Sequence, residues 1–135
     1  MAGTSTILEY RAESLSPAGG FDRIQWTWVA DGAGVVSGAN GITAGSYTGL
    51  VVGLVTIPSI VTVPTNLYDI TILDTDGADV MVGAGANRSD TAIEQTAGLM
   101  AAGVPRTVWN STLTLTIAAS GAAGKGIAIL YILRR

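Results

Sequence analysis

The stretch Tyr68 to Arg88 reads YDITILDTDGADVMVGAGANR, and it decides the fold class. Ile70 and Ile72 alternate with Asp69 and Thr71, the period of two expected of a half-buried strand. Asp74-Thr75-Asp76-Gly77 then supplies turn chemistry: aspartate accepts hydrogen bonds from its own backbone, and glycine tolerates positive φ. Ala78 to Val82 returns with a second apolar segment. The phrase therefore predicts a β-hairpin followed by a Gly-Ala loop.

Outward from this phrase, period two persists wherever a pattern is visible. In FDRIQWTWVA, Phe21 to Ala30, the residues Ile24, Trp26 and Trp28 share one face, while Arg23, Gln25 and Thr27 share the other. In TVWNSTLTLTIAAS, Thr107 to Ser120, Leu113, Leu115 and Ile117 alternate with threonines, whose β-branches suit a pleated surface. Ile127 to Leu133, IAILYIL, is apolar on both faces, as in a central strand, and with the preceding segment predicts a C-terminal hairpin across the turn Ser120 to Gly126. Further strands are expected at Thr6 to Ala12, Ser46 to Ile57 and Ile60 to Val63, bounded by Pro58 and Pro64. Asp90 to Met100 supports a short helix and a short strand equally, because Thr91 and Glu94 have capping-box spacing. The sum is an all-β, antiparallel, jelly-roll-like sandwich of about eight strands, with at most one short helix. It fills a single domain, 1–135, with an extended N-terminal arm at 1–16.

Composition narrows the chemistry. The 135 residues include 18 glycines and no cysteine or histidine, and only 13% are charged, against ~25% in an average soluble domain. Without thiol or imidazole the usual nucleophile, general base and zinc ligands are missing, so catalysis is not expected and no cofactor or metal is implied. A net charge of -3 with scattered basic residues argues against nucleic acid. Glu9, Arg11 and Glu13 interrupt any signal-peptide pattern, and the uncharged run Gly49 to Val63 is too broken to span a membrane as a helix.

Several motifs invite chemical readings. Asp74, Asp76 and Asp79 form D-x-D-G-x-D, but glycine comes two positions early for an EF-hand and no glutamate closes the loop, so a turn is the stronger reading. Gly83 to Arg88 lacks the third glycine of a dinucleotide loop, and Gly121 to Gly126 lacks the spacing of a phosphate loop. Trp26 and Trp28 fit a core, whereas Trp109, near Arg106, is the better surface anchor. Arg106, Trp109, Arg134 and Arg135 are the candidate interface residues.

The phrase Tyr68 to Arg88 resembles small head-associated proteins of tailed bacteriophages, which carry a similar Tyr-Asp-Ile-Thr, Asp-x-Asp-Gly-x-Asp-Val and Gly-Asn-Arg progression. The Trp-bearing strand at Ile24 to Val29 and the LTLTI and ILY segments extend the resemblance more loosely. It implies a capsid cement or decoration protein on the virion exterior, made in the host cytoplasm. Its implied partners are the major capsid protein and further copies of itself, as a homodimer or homotrimer. A tail or fibre component and a carbohydrate-binding module are the alternatives.

Overall fold

The computed structural model describes residues 3–11 and 20–134. Of the N-terminal arm expected at 1–16, residues 1–2 and 12–16 lie outside them, as does Arg135, while Thr4–Arg11 forms a strand paired with Phe21–Val29. Eight strands form among the described residues: β1 (Thr4–Arg11), β2 (Phe21–Val29), β3 (Tyr47–Pro58), β4 (Asp69–Leu73), β5 (Glu94–Thr96), β6 (Thr107–Ser111), β7 (Thr114–Ala118) and β8 (Lys125–Leu133). The only helical turn among those residues is a 3-10 turn at Gly38–Gly41. All strand pairs are antiparallel.

One sheet is wide and the other narrow. The wide sheet runs β1-β2-β8-β3-β5, with β6 taking the first stretch of β3 and β5 a later one. The narrow sheet is β4 with β7. Irregular segments widen it on both sides: Val36 and Ile42 bridge to Ile117 and Thr114, while Asp79 and Arg88 bridge to Leu73 and Tyr68. The chain crosses between sheets from β2 to 36–42, back to β3, out to β4 and its neighbour 79–88, back to β5 and β6, out to β7 and back to β8. That alternation is a jelly-roll-like sandwich.

Burial follows the sequence pattern in β2, where Ile24, Trp26 and Trp28 are fully buried. Inner rows of the wide sheet, such as Leu54, Leu130 and Ile24, pack against Ile70, Ile72, Leu115 and Ile117 of the narrow one. Trp26 Nε1 donates to the Gly41 carbonyl at 2.9 Å, fixing the 3-10 turn to the core. Trp28 sits opposite Gly126 in the β2-β8 ladder and meets Tyr68 of the narrow sheet at 5.4 Å between ring centroids, with planes tilted 51°. A Cβ on Gly126 would stand 2.7 Å from Trp28 Cζ2, so only glycine leaves room for the indole.

Three sequence expectations are corrected. The C-terminal hairpin does not form: β7 pairs with β4 and β8 with β2 and β3, so the turn after Ser120 carries the chain between sheets. The reason lies in the core: Leu113, Leu115 and Ile117 are buried against the wide sheet, not hydrogen-bonded beside β8. Ile60 to Val63 is not a strand, and Ile60 is 92% exposed. Ala78 to Val82 leaves the ladder after the Leu73-Asp79 bridge, because Asp79 turns the chain by accepting amides from Met81 at 3.0 Å and Gly83 at 2.7 Å.

In Asp90 to Met100 the outcome is the strand β5. The glutamate of the capping-box pattern is used elsewhere: Glu94 accepts the Ser89 amide at 2.6 Å and pairs with Arg88 at 3.7 Å. Ser89 Oγ accepts the amides of Thr91 and Ala92, and makes a loop where a helix would have begun.

Gly126→Ala is expected to lower unfolding stability by about 2 kcal/mol through overpacking against Trp28. Gly32→Ala, with open space around its Cβ, should change it by less than about 0.5 kcal/mol, both read from urea midpoints.

Candidate functional site

The aspartate cluster is a folding device. Asp74 Oδ1 accepts the amides of Asp76 and Ala78, each at 3.0 Å, while Gly77 adopts φ 80° and donates to the Asp74 carbonyl. Asp74 Oδ2 takes the Arg106 guanidinium at 2.7 Å. Burial pushes the Asp74 carboxyl up, but the Arg106 hydrogen bond and the two amides outweigh it and hold the group below its ordinary value. Thr75 and Ser111 join the same turn to β6 through a 3.0 Å hydroxyl contact. Oxygens that suggested a cation site thus hold backbone and guanidinium, and among the described residues no group of three or more Asp or Glu is placed to ligate a metal.

The Gly-Ala loop has a similar explanation. Ile70 donates to the Gly85 carbonyl at 2.9 Å and Arg88 to the Tyr68 carbonyl at 2.7 Å, so the loop lies along β4 as an irregular neighbour. Tyr68, buried beneath it, has its phenol pushed up to about 12 by burial first and the Glu94 carboxylate second, against smaller opposing pulls from Arg88 and Thr56. It stays neutral across the physiological range.

The candidate interface residues fare differently from one another. Arg106 points to Asp74, and Arg134 pairs with buried Asp22 at 3.7 Å, so both are tied within the fold. Arg135 lies outside the described residues. Trp109 is 78% exposed on β6, beside Asn110, whose φ of 43° marks the irregular pairing of β6 with β3.

The surface that these residues border is the feature the sequence reading missed. Directly opposed residues of neighbouring strands share a face. On the side of the wide sheet turned away from the core, Thr107, Leu50, Leu133 and Phe21 form one row. Gly53, Tyr131, Arg23 and Tyr10 form the next. Gln95, Val55, Ile129, Gln25 and Leu8 form a third, and Ile57, Ile127, Thr27 and Thr6 a fourth. Leu8, Tyr10 and Phe21 are each more than 40% exposed, although solvent-side strand positions usually carry polar groups. The ladder continues with Val29 and Lys125, so the charged described side chains on this face are Arg23, set over the Tyr10 ring at 5.5 Å, and Lys125 at its end. The signal was available in the apolar outer positions of β8 and β3, but the sequence pattern read Ile127 to Leu133 as covered on both sides.

The face is not flat. Val52 is an extra residue between the Val51-Ile132 and Gly53-Tyr131 pairs, a bulge that bends β3. Beside it, a hollow of about 380 Å³ opens among Phe21, Gly53, Val55, Gln95, Ala97 and Tyr131. A second, more apolar hollow of about 430 Å³ lies at the far end, between Val29, Ile57, Ile60 and Ile127.

No protein-family model, curated protein or solved structure matches this chain.

Because the folded carboxyl titrates below its ordinary value, Asp74 contributes stability that is present above the unfolded value and lost as pH falls through the folded one. Thermal midpoints measured from about pH 6 down to about pH 2 should therefore fall less steeply in Asp74→Asn than in the parent, while the variant is less stable at neutral pH by about 2 kcal/mol.

Proposed function

We propose that the chain is a structural protein of a bacteriophage particle that binds the outside of the capsid and stabilises it by bridging neighbouring major capsid subunits. The observation that carries a binding role is the nearly uncharged outer face of the wide sheet among the described residues, with Leu8, Tyr10 and Phe21 exposed at its margin and half-buried apolar side chains along β8 and β3. Such a surface loses little on desolvation and gains about 25 cal/mol for each Å² of apolar area buried. The sequence progression from Tyr68 to Arg88 supports the phage context, and no side-chain constellation described above favours chemistry over binding.

A bridging subunit works by number. Each copy adds modest contact area, and linked copies on a symmetric shell combine those contacts by raising effective concentration. A rigid jelly-roll-like sandwich suits the task, since its core holds the binding face in one shape and little ordering entropy is lost on docking.

Purified particles are expected to carry the protein in a copy number on the order of hundreds. Particles lacking it should rupture at lower temperature and recover when the purified protein is added back. Its absence from particles, with all of it in the soluble fraction, would rule out this role.

The exposure of Trp109 favours one second reading, a stacking platform for sugar rings. Glycan binding abolished by Trp109→Ala, with the thermal midpoint unchanged, would support it over the capsid role; a blank glycan array would remove it.

A further inference from the structure

We propose that the end of the sandwich where β3 leaves the wide sheet is a membrane-contact site, whose apolar loop tip inserts into the surface of a zwitterionic lipid bilayer. The tip lies beyond the Pro58-Gly126 pair that ends the β3-β8 ladder, so this contact is separate from the sheet face that the capsid role uses.

Exposure marks the site. Ile60 and Val61 are 92% and 88% exposed, so two adjacent β-branched side chains project with almost nothing packed on them. Val63, Leu67 and Ile93 are exposed as well, and the two segments that carry them adjoin: Leu67 donates to the Arg88 carbonyl at 3.0 Å, and Asp90 donates to Asn66 Oδ1 at 3.4 Å. The tip is held outward by its own backbone. Ser59 Oγ accepts the amides of Val61 at 3.2 Å and Thr62 at 3.1 Å, while Ser59 donates to the Lys125 carbonyl and Lys125 to the Thr62 carbonyl, each at 3.1 Å. A loop tied in this way does not turn its apolar groups inward, and it loses little ordering entropy when they are buried by something else.

Size, charge and a neighbouring hollow select lipid as the occupant. A stable protein partner covers about 800 Å² and roughly 20 to 30 residues on each side, far more than a projecting tip of a few side chains presents. A fluid bilayer instead closes around a convex tip of any shape, and its gain scales with the apolar area buried. No residue from Ser59 to Tyr68 is charged, and Arg88 and Glu94 beside them offset each other at 3.7 Å. The other charges at this end are half-buried Asp90, Asp31, whose carboxylate holds the Ala33 and Val35 amides, and Lys125. Lys125 stands at the rim of the hollow of about 430 Å³ that opens at the root of the tip between Val29, Ile57, Ile60 and Ile127. An acyl segment fits that lining, with the ammonium reaching up to a headgroup phosphate. The exposed side-chain carbon of the five apolar residues is close to that of one myristoyl chain, which binds membranes reversibly with an association constant of about 10⁴ M⁻¹.

Co-sedimentation of the purified full chain with phosphatidylcholine vesicles tests the proposal. At millimolar lipid most of the chain should pellet, and equally so in about 0.05 M and about 0.5 M salt, because insertion of apolar groups is not screened. Adding phosphatidylglycerol should weaken binding, since the chain carries a net charge of -3. Ile60→Ser combined with Val61→Ser should lower the association constant by about tenfold or more, whereas Val82→Ser, beside β4, should bind as the parent does. Far-UV circular dichroism confirms that the variants are folded. Should the double variant not fold, the cysteine-free chain allows a second route: Val61→Cys, labelled with an environment-sensitive dye, should shift its emission to the blue on vesicles and be quenched by brominated acyl chains. A parent that stays in the supernatant, a double variant that pellets like the parent, or adsorption that needs anionic lipid and disappears in salt overturns the proposal. So does a tip that is required for particle binding in a chain that ignores vesicles, which would make it a protein contact. Vesicle binding by a chain that never associates with particles would sink the capsid role alone, and particle binding without vesicle binding would sink the lipid contact alone.

Discussion

The indole of Trp28 is the joint on which the sandwich closes. On one side it lies over Gly126, its partner in the β2-β8 ladder, and on the other it meets the tilted ring of Tyr68 from the narrow sheet. Two bulky rings can occupy that depth only because the position across the ladder has no side chain. Among the described residues its indole nitrogen has no hydrogen-bond partner, a cost that the burial of a large apolar surface offsets. Trp26, two residues earlier on the same face, anchors the 3-10 turn through Gly41. Alternation in one strand thus fixes both the inter-sheet contact and the first crossover segment.

Carboxylates hold the parts that strands do not. Glu9, on the inner side of β1, accepts the amides of Ala44 and Gly45 and the Tyr47 hydroxyl at 2.6 Å, tying the entry of β3 to the far edge of the sheet. Asp74 binds its own turn and Arg106, Asp79 bends the return path, and Asp69 accepts the Asn87 amide. Asp31 does the same for the loop after β2, taking the amides of Ala33 and Val35. A low charge count is consistent with this use, since several carboxylates are engaged by amides that would otherwise lack partners.

The inequality of the two sheets has a functional consequence. A narrow sheet widened only by irregular segments covers one face of a wide one, and the opposite face keeps apolar rows at its surface. Most antiparallel sheets of this kind place polar side chains there. The departure, together with the hollow at the Val52 bulge, is what supports the proposed binding role.

Much of the fold was legible in the residues themselves. Strict alternation fixed β2, β4 and β7 and their buried faces, and the Asp-Gly turn at Asp74 to Gly77 followed from side chains that bond their own backbone. Those signals are local, written within a few residues of where they act. Which strands pair is not local: β7 and β8 are adjacent in sequence, yet they join different sheets, with Leu115 and Ile117 of β7 buried in the core between them. The same limit hid the apolar outer face of the wide sheet. An apolar run such as Ile127 to Leu133 states that both of its faces avoid water, and only the tertiary arrangement decides that one is covered by the narrow sheet while the other is left open.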